Sequence, residues 1–317
     1  MPQGAQIPLQ NFQLPKFPPE AGSLRSLTLA SEIEMSDYQS VLQQSYLIPP
    51  VPPAIESLTL ELFSFGYPAG FLGDLAQRLP NVKSVVFFSQ LLGGLEERTS
   101  DDVVMFFRRM HGLRDLHLLD VFARPGLFER IAPFVTYDPD EQGGRRGLMF
   151  LEINYTTQQG EDDLMSKIPA RELPKLIGPG LITLTLNVSE ADEDKHENGE
   201  QHTGQGVMTF NNTLSPHLVK ALTDDMRKPQ GLRVLNATLY TLTLEHLRSI
   251  MTGQTNLMAL MVTLEVDSAE QCRKELVTLL VKFGQKLEQV EIVVSPTLQF
   301  FTKVCSLFTT LVSSLKK

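Results

Sequence analysis

One short phrase, apolar-x-x-apolar-x-apolar, recurs along the 317 residues and limits the fold more than any other feature of the chain. It reads LRSLTLA from Leu24, IESLTLE from Ile55, VKSVVFF from Val82, LRDLHLL from Leu113 and LMFLEIN from Leu148. It returns as LITLTLN from Leu181, LRVLNAT from Leu232, LMALMVT from Leu257 and LEQVEIV from Leu287. Successive starts lie 31, 27, 31, 35, 33, 51, 25 and 30 residues apart. Quasi-regular self-similarity at this period marks a stacked architecture, in which each repeat buries its apolar face against its neighbours. Each phrase predicts a short strand, because leucine, valine, isoleucine and threonine dominate it and alternate residues share a face.

A helical stretch is expected after each phrase. The candidates are Ser36–Leu47, Pro68–Leu79, Asp101–His111 capped by Ser100, Pro125–Val135, and Glu161–Ile177 broken by Pro169 and Pro174. A helix from Ser215-Pro216 to about Lys228, then Thr243–Thr252, Ser268–Gln285 and Pro296–Leu315, complete the set. Alternating strands and helices imply a parallel sheet with crossover helices. A doubly wound sheet, a closed barrel and an open solenoid all satisfy that order. The first two cover both faces of every strand, so their strands read as continuous apolar runs. Here polar residues alternate with the apolar ones: Ser26 and Thr28, Ser57 and Thr59, Asp115 and His117, Thr183 and Thr185, Gln289 and Glu291. One face of the sheet must therefore meet water, and the α/β solenoid is the fold expected, with a bare concave sheet and helices on the convex side.

These phrases resemble the leucine-rich-repeat superfamily, in particular the irregular long-repeat proteins similar to fungal F-box/LRR proteins. The pattern is cleanest at Leu24-Leu27-Leu29, Leu113-Leu116-Leu118 and Leu181-Leu184-Leu186. The resemblance implies a curved array of about nine repeats that binds another protein on its concave side. The chain departs from the family at the position where an asparagine ladder would run. Glu32, Phe63, Gln90, Val121, Thr156, Ser189, Tyr240, Glu265 and Ser295 stand there instead. The turns after the strands must then satisfy their backbone groups by other means. Only 23 residues rich in proline and glutamine precede Leu24, and they carry no recognisable F-box. An adaptor role in a ubiquitin ligase, with the F-box upstream or on another chain, follows from the relatives alone.

The third, fifth and seventh positions of each phrase should point outward. In the middle repeats these are Ser84, Val86, Phe88, Asp115, His117, Leu119, Phe150, Glu152, Asn154, Thr183, Thr185 and Asn187. Large apolar side chains at Phe88, Leu119 and Phe150, with Val86 beside them and acids close by, have the composition of a protein-binding hot spot. The candidate partner-binding set is Val86, Phe88, Asp115, His117, Leu119, Phe150, Glu152 and Asn154. Asp115, His117 and Glu152 could instead hold a metal or do acid–base work. With no nucleophile, oxyanion hole or second histidine nearby, a surface histidine among acids is the preferred reading. No cofactor and no metal is expected, and the chain is read as noncatalytic.

Net charge is −9, and no basic cluster exceeds the pairs Arg108-Arg109, Arg145-Arg146 and Lys316-Lys317. Nucleic-acid binding, which needs a basic stripe, is disfavoured. Met1–Phe17 lacks the basic start and apolar core of a secretory signal, and no apolar run reaches membrane-spanning length. A cytoplasmic or nuclear location is expected. Cys272 and Cys305 match no metal or redox spacing. Residues 189–206 hold six acids and no large apolar side chain, which predicts a disordered insertion. Pro49-Pro50-Val51-Pro52-Pro53 reads as a rigid connector. By these boundaries, 1–23 is an N-terminal segment or cap, 24–295 the solenoid and 296–317 a capping helix. Phe301, Val304, Phe308, Leu311 and Leu315 would pack that helix on the last repeat, with a dimer through the same helix as the alternative; a monomer is preferred.

Overall fold

A computed structural model describes residues 12–14, 16–30, 46–62, 64–137, 147–157, 164–190, 209–225, 228–265 and 272–294. The chain divides into two compact units, Met1–Leu148 and Met149–Lys317.

In the first unit four strands pair in parallel and in chain order. They are β2 (Ser26–Ala30), β4 (Ser57–Glu61), β5 (Ser84–Leu92) and β6 (Asp115–Ala123). The second unit holds five more: β7 (Phe150–Thr157), β8 (Thr183–Glu190), β9 (Val234–Leu242), β10 (Ala259–Leu264) and β11 (Gln289–Val294). These also pair in parallel, each with the next. Every one of the nine begins at the third residue of its phrase. The register matches phrase to phrase as well: Ser26 faces Ser57, Ser57 faces Ser84 and Ser84 faces Asp115, while Phe150 faces Thr183 and Thr183 faces Val234. Repetition in sequence has become repetition in space. Each unit is thus the α/β stack of parallel strands and helices expected of a solenoid, and among the described residues β2 and β11 each pair with a single strand.

Alternation along the strands separates a dry face from a wet one. Leu58, Leu60, Val85, Phe87, Leu116 and Leu118 are fully buried in the first unit, as are Leu151, Ile153, Leu184, Leu186, Leu235 and Ala237 in the second. Residues between them, such as Thr59, Val86, His117, Glu152 and Thr185, are half-exposed. Each fully buried leucine or phenylalanine contributes roughly 1.5–3 kcal/mol of transfer free energy. The last strand differs. Val290 and Ile292 occupy the same inward positions yet stay half-exposed, so the described part of the second unit ends on an incompletely covered repeat.

Helices cover the dry face. Phe71–Arg78 buries Phe71, Leu72, Leu75 and Ala76, and Glu97–Arg109 buries Val103, Phe106 and Phe107. The latter has an acid in its first turn and two arginines in its last, both favourable to the helix dipole. It starts before the expected Ser100 cap. Ser100 lies inside it, its hydroxyl donating to the carbonyls of Gly93 and Glu96 at 3.3 Å. The capping moves to a neighbour: Asp102 is 8 % exposed and accepts from the amides of Leu72 and Gly73, both at 2.9 Å, at the start of the preceding helix. That helix has no side-chain cap of its own. Burial pushes the Asp102 carboxyl above the usual carboxylate range, against the opposing pull of the Gly73 and Leu72 amides.

In the second unit, the broken stretch at 161–177 gives the short helix Leu164–Lys167 and the 3-10 turn Leu173–Leu176, as its prolines foretold. Ser215–Thr223 and Leu244–Gly253 follow, then a π turn at Cys272–Leu276 that continues as Val277–Phe283. Thr243 caps Leu244–Gly253 in a reciprocal box. Its hydroxyl accepts from the His246 amide at 3.2 Å, and its own amide donates to His246 Nδ1 at 3.4 Å. Only a neutral imidazole can accept that bond, and burial holds the His246 pKa below its ordinary value against the opposing pull of Glu245. With a lowered folded pKa, this contribution is complete above the unfolded value of about 6.5 and is lost as pH falls through the folded one. A urea-midpoint titration of His246→Gln should therefore show a flatter acid limb than the parent. An unchanged limb would place the titration elsewhere.

Three expectations are corrected. The helix expected at Ser36–Leu47 does not reach Leu47, since Tyr46–Leu47 (β3) pairs in parallel with Phe12–Gln13 (β1); residues 36–45 lie outside the described residues. The Leu14 amide extends the pairing to Leu47 O at 3.1 Å, and the Leu14 side chain is buried. The acidic insertion does not start at Ser189, because Ser189 and Glu190 complete β8. Pro125–Val135 is helical only from Leu127 to Ile131, entered through Gly126 with φ +89, and then tightens to a 3-10 turn at Ala132–Phe134. The proline connector runs between β3 and β4, with the Ile55 amide returning to Pro52 O at 3.4 Å. The rest of the insertion, Cys305 and the 296–317 segment lie outside the described residues.

Candidate functional site

The expected outward residues fall in two places. On the first unit, Val86 and Phe88 of β5 lie in register with His117 and Leu119 of β6, and Ser84 with Asp115. Phe88 is 37 % exposed, a large value for a phenylalanine within a sheet, and Val86, Asp115, His117 and Leu119 are half-exposed. On the second unit, Phe150, Glu152 and Asn154 pair with Thr183, Thr185 and Asn187, all six half-exposed. Ser189 donates to Asn154 Oδ1 at 3.3 Å and fixes that amide on the outer surface.

A kink enlarges the first-unit surface beyond what the phrase showed. Ser89 (φ +49) and Asp120 (φ +53) adopt the left-handed conformation, unusual for residues with side chains. They sit at matching points, since Phe88 faces Leu119 and Gln90 faces Val121. The two strands therefore kink in step. Two residues in a row point outward on each, Phe88-Ser89 and Leu119-Asp120, and burial then resumes one position later, at Gln90 and Leu92 and at Val121 and Ala123. Leu91 and Phe122 thereby join the outer surface, half-exposed. Strict alternation assigns them inward and misses them; Asp120, a lone polar residue between the apolar pairs Leu118-Leu119 and Val121-Phe122, was the one local hint.

Gln90 pins this kink. It is 3 % exposed, and its Nε2 donates to Leu60 O of β4 at 3.0 Å and to Phe88 O at 3.3 Å. It stands at one of the positions where the resemblance would place an asparagine, and its amide ties β5 to the Leu60 carbonyl of β4. In the second unit hydroxyls do the same for β9: Ser215 donates to Thr241 O and Thr263 to Thr238 O.

The outward positions of β2, β4, β5 and β6 hold three acids (Glu61, Asp115, Asp120) and no lysine or arginine. The surface is apolar in the centre and acidic around it. Asp115 and His117 belong to the first unit and Glu152 to the second. Among the described residues, no three His, Cys, Asp or Glu side chains gather closely enough to hold a metal. Among the same residues, no helix is long and apolar enough to cross a membrane.

No protein-family model and no curated protein matches the sequence. Solved structures do align. An internalin from Listeria monocytogenes shares 12 % identity over 84 % of this chain and 60 % of its own, with a TM-score of 0.37. The Rad7–Elc1 complex of yeast shares 16 % identity over 86 % of this chain and 57 % of its own, with a TM-score of 0.38. The chain thus spans under two thirds of the length of either.

Proposed function

We propose that this protein is a noncatalytic recognition module that binds a partner protein on the outer face of its sheets. The observation that carries the reading is the exposed Phe88, set in register with Leu119 and flanked by Val86, Leu91 and Phe122. Burying such a surface in a partner is favourable, whereas leaving it in water is not. An aromatic anchor with a polar surround is the usual composition of an interface centre. The acids at Glu61, Asp115 and Asp120 favour a partner that presents an apolar anchor among basic residues. On the second unit, Phe150 is the corresponding anchor, with Glu152 and Asn154 beside it.

Phe88→Ala combined with Phe150→Ala is expected to reduce recovery of the bound partner by at least tenfold, the effect of losing hot-spot anchors. The melting midpoint should stay within a few degrees of the parent, because both rings already meet water. The single variants assign the effect to one unit or the other. Full recovery by the double variant would remove the outer face from consideration.

A further inference from the structure

At the N-terminal ends of β8 to β11, a groove of about 640 Å³ runs across the second unit. Each of four successive strands contributes two consecutive residues to it: Ile182-Thr183, Arg233-Val234, Met258-Ala259 and Glu288-Gln289. The first of each pair sits immediately before its strand. Backbone bonds hold this row rigidly, since Ile182 O, Arg233 O and Met258 O each accept from two amides of the next repeat at 2.7–3.2 Å. Across the groove the row reads Ile182, Arg233, Met258, Glu288: an apolar residue, a cation, an apolar residue, an anion. Arg233 and Glu288 are exposed, and neither side chain has a hydrogen bond or ion pair among the described residues. Met258, between them, is 36 % exposed.

We propose that this groove is a second docking site, which takes an extended, polyproline-type peptide bearing an acid and a base three residues apart. Charge complementarity selects the occupant: a carboxylate for Arg233, a cation for Glu288 and small apolar groups over Met258. Spacing selects its conformation. Arg233 and Glu288 stand two strands apart, about 9.6 Å at the usual strand separation. A polyproline helix repeats its face every three residues, about 9.3 Å. A β-strand ligand repeats its face at about 6.8 Å or 13.6 Å, and neither matches that separation. The polyproline form is also the one that binds with the least ordering cost.

The test is fluorescence anisotropy on the full chain at low salt, with fluorescein-labelled peptides centred on Glu-Pro-Pro-Lys, Glu-Pro-Pro-Glu or Lys-Pro-Pro-Lys. The mixed peptide should bind roughly threefold to fivefold tighter than either like-charged one, as expected for exposed ion pairs. Arg233→Glu should shift the preference to Lys-Pro-Pro-Lys, and Glu288→Lys should shift it to Glu-Pro-Pro-Glu. Both residues are exposed, so the variants should melt with the parent. Equal binding of the three peptides, no binding of any, or a ranking unmoved by Arg233→Glu would overturn the proposal. Phe88→Ala should leave peptide binding unchanged, which separates this site from the outer-face surface.

Discussion

Replacing Leu151 by alanine is expected to lower the free energy of unfolding by about 2–5 kcal/mol, read from urea denaturation. Leu151 is fully buried on the dry side of β7 and faces Leu184 across the ladder. Truncating it removes transfer free energy and leaves a cavity that the rigid parallel pairing cannot collapse. The adjacent Glu152→Ala, on the wet side, should cost no more than about 0.5 kcal/mol. The contrast between neighbouring residues is the sharper measurement. Similar costs at both positions would refute the assignment of faces on which the binding surface depends.

The second large effect concerns a glycine. Gly66 has φ +104, and a β-carbon built on it would lie 2.5 Å from Gly94 Cα and 2.8 Å from Gly94 N. The turns after β4 and β5 meet there backbone to backbone, Gly94 itself being left-handed at φ +58. Gly66→Ala should therefore incur both left-handed strain and a clash with main chain that has no rotamer to yield. Together these amount to about 2–6 kcal/mol of lost stability, again from urea midpoints. Gly126 provides the control. It is left-handed too (φ +89), with nothing within 4 Å of a β-carbon, so Gly126→Ala should show strain alone, about 1–2 kcal/mol. Equal losses at the two glycines would mean that the turn–turn approach carries no stability.

Much of the architecture was legible because one periodicity served both chemistry and geometry. The apolar positions that define a phrase are those that meet the helices, so the nine phrase strands and most of their dry face could be read directly. The same logic identified Val86, Phe88, Leu119 and Phe150 as outward. It stopped where the period slipped. At Ser89 and Asp120 a left-handed residue advances the pattern by one, and in a run such as Phe87-Phe88-Ser89-Gln90-Leu91 either phase looks apolar. The β1–β3 pairing was hidden for another reason: two-residue strands have no period to detect. Arg233 and Glu288 occupy a phrase position that the pattern leaves open, so nothing in the repeat drew notice to them. Gln90 had been counted only as a missing asparagine.

Strand alignment has one more consequence. Thr183 still faces Val234, although 51 residues separate Leu181 from Leu232, just over twice the shortest spacing in the array. Connections can therefore lengthen without disturbing the ladder, because each doubling of a loop adds only about 0.6 kcal/mol to its closure. The link between β8 and β9 is accordingly a natural place to graft a fluorescent reporter, and natural variants should differ there in size before they differ anywhere in the scaffold.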